Sequence, residues 1–252
     1  MQESSEHIIR IIRSIAHGQL RSYSSIATEA GLPNGARQVA RILHSCSRSH
    51  DLPWWRVLKA DNSLALPPGA GFEEQKALLE AEGLEVSAKG KVSNPEARVC
   101  RLLSDLGIHY QRYGHSPVLT VDEANEYWTD IEGVRAKNLF LRNAKGNQHY
   151  LLVIEETKTV DLKALALQLG EAKLSFASPE RLQKHLGLKP GAVSPLGLVN
   201  DSEKAVIVIL DRELAASEYI PLHPNANTAT LKIRYADFCT FLEHCGNTVI
   251  YI

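Results

Sequence analysis

The first apolar signal along the chain is helical. In SSEHIIRIIRSIAHG, Ile8, Ile12 and Ile15 recur at the four- and three-residue spacing that places them on one helix face. Ser4 or Ser5 is positioned to cap that helix, and Gly18 to end it. YSSIATEAGLPNGARQVARILH then predicts two short helices about the turn Gly31-Leu32-Pro33-Asn34-Gly35, with Ser22 as N-cap of the first and Ala36 opening the second. Two such helices around a glycine-containing turn resemble a helix-turn-helix, whose second helix commonly enters a DNA groove. A hairpin turn at Ala60-Asp61-Asn62, the loop Pro67–Gly71 and the charged helix FEEQKALLEAEG complete this part. EVSAKGKVSNPEA is small, polar and free of aromatics, so the domain boundary is placed near residue 92, giving domains 1–91 and 92–252.

Beyond the boundary, helical and strand patterns alternate. PEARVCRLLSDLG predicts a helix stopped at Gly107, and LTVDEANEYW a second one capped by Thr120. KNLFLRN and HYLLVIEE read as strands joined by the turn Ala144–Asn147. A helix at DLKALALQLG, another opened by Ser178-Pro179-Glu180, a strand at AVIVILD and a last strand–helix–strand follow. VIVIL has no polar alternation, the pattern of a strand covered on both faces. The predicted class is α/β: a small helix-turn-helix, winged-helix-like domain followed by a larger α/β domain with a mixed sheet.

Composition adds little to this picture. The 252 residues are 44% apolar and 23% charged, ordinary for a soluble chain, and no apolar run approaches the ~18 residues of a membrane span. MQESSEHIIR lacks the basic, apolar and cleavage segments of a signal peptide. Cys46, Cys100, Cys239 and Cys245 show no metal-ligand spacing and read as reduced thiols, so the expectation is a cytoplasmic protein without metal or membrane partner. Charge is more informative locally. The net charge of −1 conceals eight Arg and Lys against two acids between His7 and Lys59, which suits a polyanion or simply a solvated face. Within that stretch, LPWWRV sets two indoles side by side. In an extended segment consecutive side chains point opposite ways, one inward and one outward.

SYSSIATEAGLPNGARQVARIL, LPWWRVLKADNSL and GFEEQKALLEAEG together resemble the DNA-binding domain of the O6-alkylguanine-DNA alkyltransferase family, over roughly residues 5 to 90, and most closely its alkyltransferase-like members. In the repair enzymes the central segment reads Pro-Cys-His-Arg and the cysteine accepts the alkyl group. The alkyltransferase-like members carry Trp for that Cys and keep the His. This chain replaces both, as Pro53-Trp54-Trp55-Arg56. Without a thiolate or an adjacent base, irreversible alkyl transfer is excluded on chemical grounds. The resemblance implies a nucleic-acid-binding set of Tyr23, Arg37, Trp54 and Arg56, with Arg37 holding the place of a flipped nucleotide and Tyr23 helping to turn it out. Trp54 is read either as a stacking platform or as filling, and Trp55 as packing. The loop ALPPGAG lacks the basic residue that some members place beside the extruded base.

Residues 95–252 resemble the YbaK / prolyl-tRNA-synthetase-associated editing family. Five blocks in order carry the resemblance: HSPVLTVDEA, GVRAKNLFLRN, KLSFASPERLQKHLG, GAVSPLGLVND and LHPNANTATLKI. SPLGLVND and HPNANTATL are most similar to the freestanding alanyl-tRNA(Pro) deacylases. The implied reaction is hydrolysis of an aminoacyl ester, an already activated bond that requires mainly positioned water and stabilised negative charge. The family's key lysine falls on Lys137, the implied catalytic residue. The implied substrate-binding residues are Asn138, Tyr113, His115, Gly191, Ser194, Pro195, Gly197 and His223. No cofactor is implied; tRNA, in the first instance tRNA(Pro), is the implied partner, with duplex DNA a further partner of the N-terminal domain. His149 and His185 read as surface positions. Against this stands a non-enzymatic reading, an alkylated-DNA lesion-binding protein carrying an inert editing fold; a third makes the first domain a protein-interaction module.

Overall fold

The computed structural model describes residues 3–115 and 131–252, and the helix expected at LTVDEANEYW, with its Thr120 cap, lies outside them. Two compact units divide the chain, the first reaching Pro95 and the second beginning at Glu96.

In the first unit, α1 spans Glu3–Arg13. It starts before Ser4 and ends well before Gly18, so neither serine caps it and that glycine does not stop it. The reason lies at its last turn. Ser14 Oγ donates to the Ile11 carbonyl (2.9 Å) and Arg56 Nη1 takes the Ile15 carbonyl (2.6 Å), so side chains satisfy carbonyls the helix leaves open. The pair α2 (Tyr23–Glu29) and α3 (Ala36–Cys46) forms as the pattern predicts. Ser22 closes a reciprocal capping box with Ser25, in which each side chain satisfies the other's backbone N–H. Ile8, Ile12, Ile26, Val39 and Val57 are fully buried together, the core that fixes the three helices. Short strands β1 (Arg21–Ser22) and β2 (Val57–Leu58) pair in parallel, α4 covers Phe72–Ala81, and β3 (Glu85–Val86) pairs with β4 (Val92–Ser93).

The second unit opens with α5 (Pro95–Asp105) and holds two sheets. The larger contains β6 (Ala136–Asn143), β7 (His149–Glu155), β8 (Leu174–Phe176), β9 (Val206–Leu210) and β12 (Val249–Tyr251), in the order β12-β9-β7-β6-β8. The β12–β9 and β9–β7 pairs are parallel and the β7–β6 and β6–β8 pairs antiparallel, so the sheet is mixed. β7 is buried along nearly its whole length because apolar layers cover both faces: Phe140, Leu151, Val153 and Phe238 pack on one, and Leu141, Leu152, Leu165 and Leu174 on the other. Each such side chain contributes roughly 1.5–3 kcal/mol by leaving water. The smaller sheet is antiparallel and joins β5 (Tyr110–Gly114) through β11 (Ala229–Arg234) to β10 (Tyr219–Leu222).

His149 corrects the sequence reading. It is 4% exposed, stacks on Phe140 at 5.6 Å and lies 4.1 Å from the His185 ring. Burial, with His185 and then Arg181, Lys184 and Arg142 nearby, lowers its pKa to about 4. It is a neutral core histidine.

Candidate functional site

In the first unit, Trp54, Trp55 and Arg56 form a 3-10 turn instead of an extended segment. The indoles nevertheless diverge, with ring centroids 6.3 Å apart and planes at 88°. Trp55 turns inward. Its Nε1 donates to Glu82 Oε1 (2.6 Å), and Arg56 Nε donates to the same carboxylate (2.9 Å) while its guanidinium lies over the Trp55 ring. Glu82 is 8% exposed and its pKa is lowered; burial pulls upward, and the bonds from Arg56, Trp55 and the Gly18 N–H outweigh it. Arg56 is therefore engaged in an internal ion pair. Trp54 instead lines an open cleft of about 990 Å³ together with Tyr23, Arg37, Arg48, Lys59 and Glu74. Three cations against one acid line the opening. Leu66, Ala70 and Gly71 supply an apolar wall. Gly71 adopts φ 107°, and a Cβ there would stand 2.8 Å from Leu66, so this wall requires glycine.

The second unit assembles a polar cluster from four elements. Asn138, on β6, donates through Nδ2 to the Val193 carbonyl (3.1 Å). Ser194 is fully buried, caps the 3-10 turn Pro195–Asn200 through the Leu196 N–H, and donates to the His223 carbonyl (2.5 Å). His223 Nδ1 bonds the Ala229 carbonyl (3.0 Å), and its ring meets that of His115 edge-on at 5.9 Å. Burial lowers the His223 pKa; the Ala229 carbonyl opposes this and His115 adds to it. His115 in turn bonds Thr230 Oγ1 (3.1 Å). Asn138, Ser194, His223 and His115 are thus brought together. Tyr113 pairs with Thr230 two residues before His115, on β5. Gly191 takes φ 86° at the start of the loop, and Pro195 is the buried first residue of the turn. At Gly197 a Cβ would lie 2.6 Å from the Leu188 side chain and 3.2 Å from the Leu186 carbonyl, so the close approach that demands glycine is internal packing.

One contributor was missed by sequence reasoning. Asn225 occupies the left-handed region at φ 62°, which Asn tolerates better than most residues, and donates to the Leu196 carbonyl (3.3 Å). Its Oδ1 and that of Asn138 are buried and lack a partner among the described residues. Two buried carboxamide oxygens, one on β6 and one in the segment after β10, are therefore left as acceptors, an arrangement that asks for a donor. HPN in the sequence is the signal that could have shown Asn225.

Lys137 follows a different course. Strand alternation sends it to the face of Leu139 and Leu141, while Asn138 shares the face of Phe140. Lys137 Nζ donates to the carbonyls of Glu156 (3.0 Å) and Lys158. Two of its three N–H groups are so occupied among the described residues. No group of three His, Cys, Asp or Glu side chains among those residues is placed to hold a metal, and no helix is long and apolar enough to cross a membrane.

The comparisons bear on both units. Residues 115–241 match the family model of the aminoacyl-tRNA editing domain, and residues 3–84 that of the 6-O-methylguanine DNA methyltransferase DNA-binding domain. A prolyl-tRNA editing protein, ProX, of Acetoanaerobium sticklandii is 45% identical over 148 residues, 58% of this chain and 89% of that protein. A DNA base-flipping protein of Vibrio parahaemolyticus is 37% identical over 93 residues, 37% of this chain and 92% of that protein. The crystal structure of a candidate trans-editing enzyme for prolyl tRNA synthetase superimposes with TM-score 0.50 at 21% identity, over 63% of this chain and 96% of the other, which shows the fold. The chain belongs to the aminoacyl-tRNA editing family, joined to an alkyltransferase-like DNA-binding domain. It is an aminoacyl-tRNA deacylase that acts in trans.

Proposed function

We propose that the substrate is alanyl-tRNA(Pro), and that the N-terminal domain binds nucleic acid without transferring alkyl groups. The observation that carries the first part is the orphaned Asn138 oxygen beside the Ser194–His223 loop. A substrate α-ammonium is the donor it needs. Asn225, bonded to the Leu196 carbonyl, likewise keeps a buried oxygen without a donor among the described residues. Tyr113, His115, Gly191, Ser194, Pro195, Gly197 and His223 shape the amino-acid end of the site. Lys137, with one N–H to spare, stabilises negative charge at the ester or terminal phosphate. Selectivity follows from size. A synthetase site built for proline discriminates weakly against a smaller side chain, since a methylene contributes only ~1–3 kcal/mol, and a second, smaller site removes the error by excluding proline. The prolyl-tRNA editing relative supports tRNA(Pro) as the carrier.

For the first domain, the cleft presents Arg37, Tyr23 and Trp54 to a base and its phosphates, and Trp54 provides no nucleophile. Arg56 takes no part in this reading, since Glu82 holds it inside. The DNA base-flipping relative supports duplex DNA as a ligand. The deciding experiment is hydrolysis of alanyl-tRNA(Pro) and prolyl-tRNA(Pro) by the full chain. Alanine should be released at least about 10-fold faster, as one to two methylenes allow; equal rates, or faster release of proline, defeat the alanine assignment.

A further inference from the structure

The proposed catalytic lysine is held by backbone carbonyls that belong to a turn, and that turn is itself pinned from another strand. Lys137 Nζ bonds the carbonyls of Glu156 and Lys158. Such a turn is a poor anchor unless something fixes it. Its own bonds are local: Lys158 N–H to the Glu155 carbonyl (3.2 Å), and Thr157 N–H to the Glu155 carboxylate (2.9 Å). Two longer-range restraints hold it: Glu156 N–H donates to the Arg135 carbonyl (3.0 Å), and Asp211, which follows β9 and is 2% exposed, grips the turn through its side chain. Asp211 Oδ2 accepts from the Glu155 N–H (3.2 Å) and Oδ1 from Lys158 Nζ (2.8 Å). Its backbone N–H donates to the Val153 carbonyl (3.0 Å), so its place is set by the sheet. Glu213 adds a second, exposed carboxylate 3.0 Å from Lys158 Nζ. The side chain of Lys158 is thus tied to Asp211 while its main-chain oxygen receives Lys137.

We propose that Asp211 and Lys158 are positioning residues for Lys137, holding through the 155–158 turn the two carbonyls that orient its ammonium. The proposal rests on the reading of Lys137 as the charge at the reacting centre. Two carbonyls restrict the lysine to one direction, leaving its third N–H aimed consistently. Freeing the turn lets the ammonium wander, and displacement of a catalytic group by about 1 Å costs up to ~100-fold in rate. The bonds of Asn138 to Val193 and of Ser194 to His223 do not involve the turn, so binding at that cluster is left intact.

Full-length Lys158→Met, Lys158→Arg, Asp211→Asn, Lys137→Ala and the double variant Lys137→Ala/Lys158→Met are compared on alanyl-tRNA(Pro), with folding checked by circular dichroism and thermal melting. Lys158→Met should lower kcat about 10-fold or more with KM changed less than about 3-fold, and Asp211→Asn should do the same. Lys158→Arg, which keeps the ion pair, should restore most of the rate. Adding Lys158→Met to Lys137→Ala should cost nothing further, because the two act through one group. Full activity of Lys158→Met, an equal loss in the Lys137→Ala background, or a loss confined to KM each overturns the positioning role. If Lys137→Ala alone is as active as the parent, the lysine assignment itself falls; if only the Lys158 and Asp211 variants are active, the lysine assignment stands and the clamp does not. Should Lys158→Met fail to fold, Asp211→Asn, which keeps its side chain's shape, decides by the same kcat criterion.

Discussion

The cleft of the first unit and the polar cluster of the second are built in opposite ways. The cleft relies on flat surfaces and unspent charge: Trp54, Tyr23 and Arg37 line an opening of about 990 Å³, and burial raises the Tyr23 hydroxyl pKa. The cluster relies on hydrogen bonds already committed to the backbone, with Asn138, Ser194 and His223 each tied to a backbone carbonyl. A surface of the first kind suits stacking, which tolerates many bases. One of the second kind suits a small, polar, defined group. The difference teaches where to look for each property: stacking needs a flat accessible ring and no sulfur, and Trp54 supplies the ring.

The largest effect that would break the comparison concerns Lys137→Ala. It should lower deacylation by ~10²–10³ while DNA binding by the full chain stays unchanged, as loss of a principal electrostatic stabiliser does. Steady-state hydrolysis and a binding titration on the same preparation check it; a rate loss under tenfold removes the charge from the reacting centre. Next in size, the two indoles should separate cleanly. Trp54→Ala should weaken DNA binding by ~1–3 kcal/mol, one stacked base's worth, at little cost in melting temperature. Trp55→Phe should do the reverse, losing the bond to the buried Glu82 carboxylate for ~1.5–3 kcal/mol of stability and leaving binding intact. A Trp55→Phe chain that melts normally but no longer binds DNA would exchange the two roles.

The smallest effect is a pH dependence confined to the second unit. His149 has its folded pKa lowered to about 4 from 6.5. The unfolded chain therefore takes up a proton that the folded one refuses, and stability is complete above about 6.5 and declines as pH falls toward 4. The decline should amount to ~1–3 kcal/mol. Denaturant midpoints between pH 7 and 4.5 measure it, with His149→Phe as the control that flattens the slope. An unchanged slope in that variant assigns the acid sensitivity elsewhere.

What was legible in the sequence follows the range of the interactions involved. Ser22 as a cap, the Gly31–Gly35 turn, the Ser178-Pro179 helix start and the KNLFLRN–HYLLVIEE pair all depend on neighbours within a few residues, and each forms as read. β5, β8 and β10 escaped notice because three to five residues carry too little alternation, and the partners of β5 and β8 lie far along the chain. The burial of His149 was invisible because Phe140, His185 and Arg181 reach it from other elements. At the site, the motifs named Lys137, Asn138 and His223. They did not reveal that alternation parts the first two, or that the lysine leans on carbonyls some twenty residues further on.

The placement of β5 has a consequence for the order in which the protein is completed. His115 and Thr230 bond across 115 residues of chain, and among the described residues β5 pairs only with β11. During synthesis the segment carrying Tyr113 and His115 emerges early and waits for nearly the whole of the second unit before its sheet exists. The first unit waits less: α2 meets α3 a few residues after it forms, although Asn94 bonds the Gly18 carbonyl across 76 residues. A nascent chain thus completes the Trp54 cleft before the Asn138 cluster, and a chain ending after the first unit and before β11 carries the former without the latter.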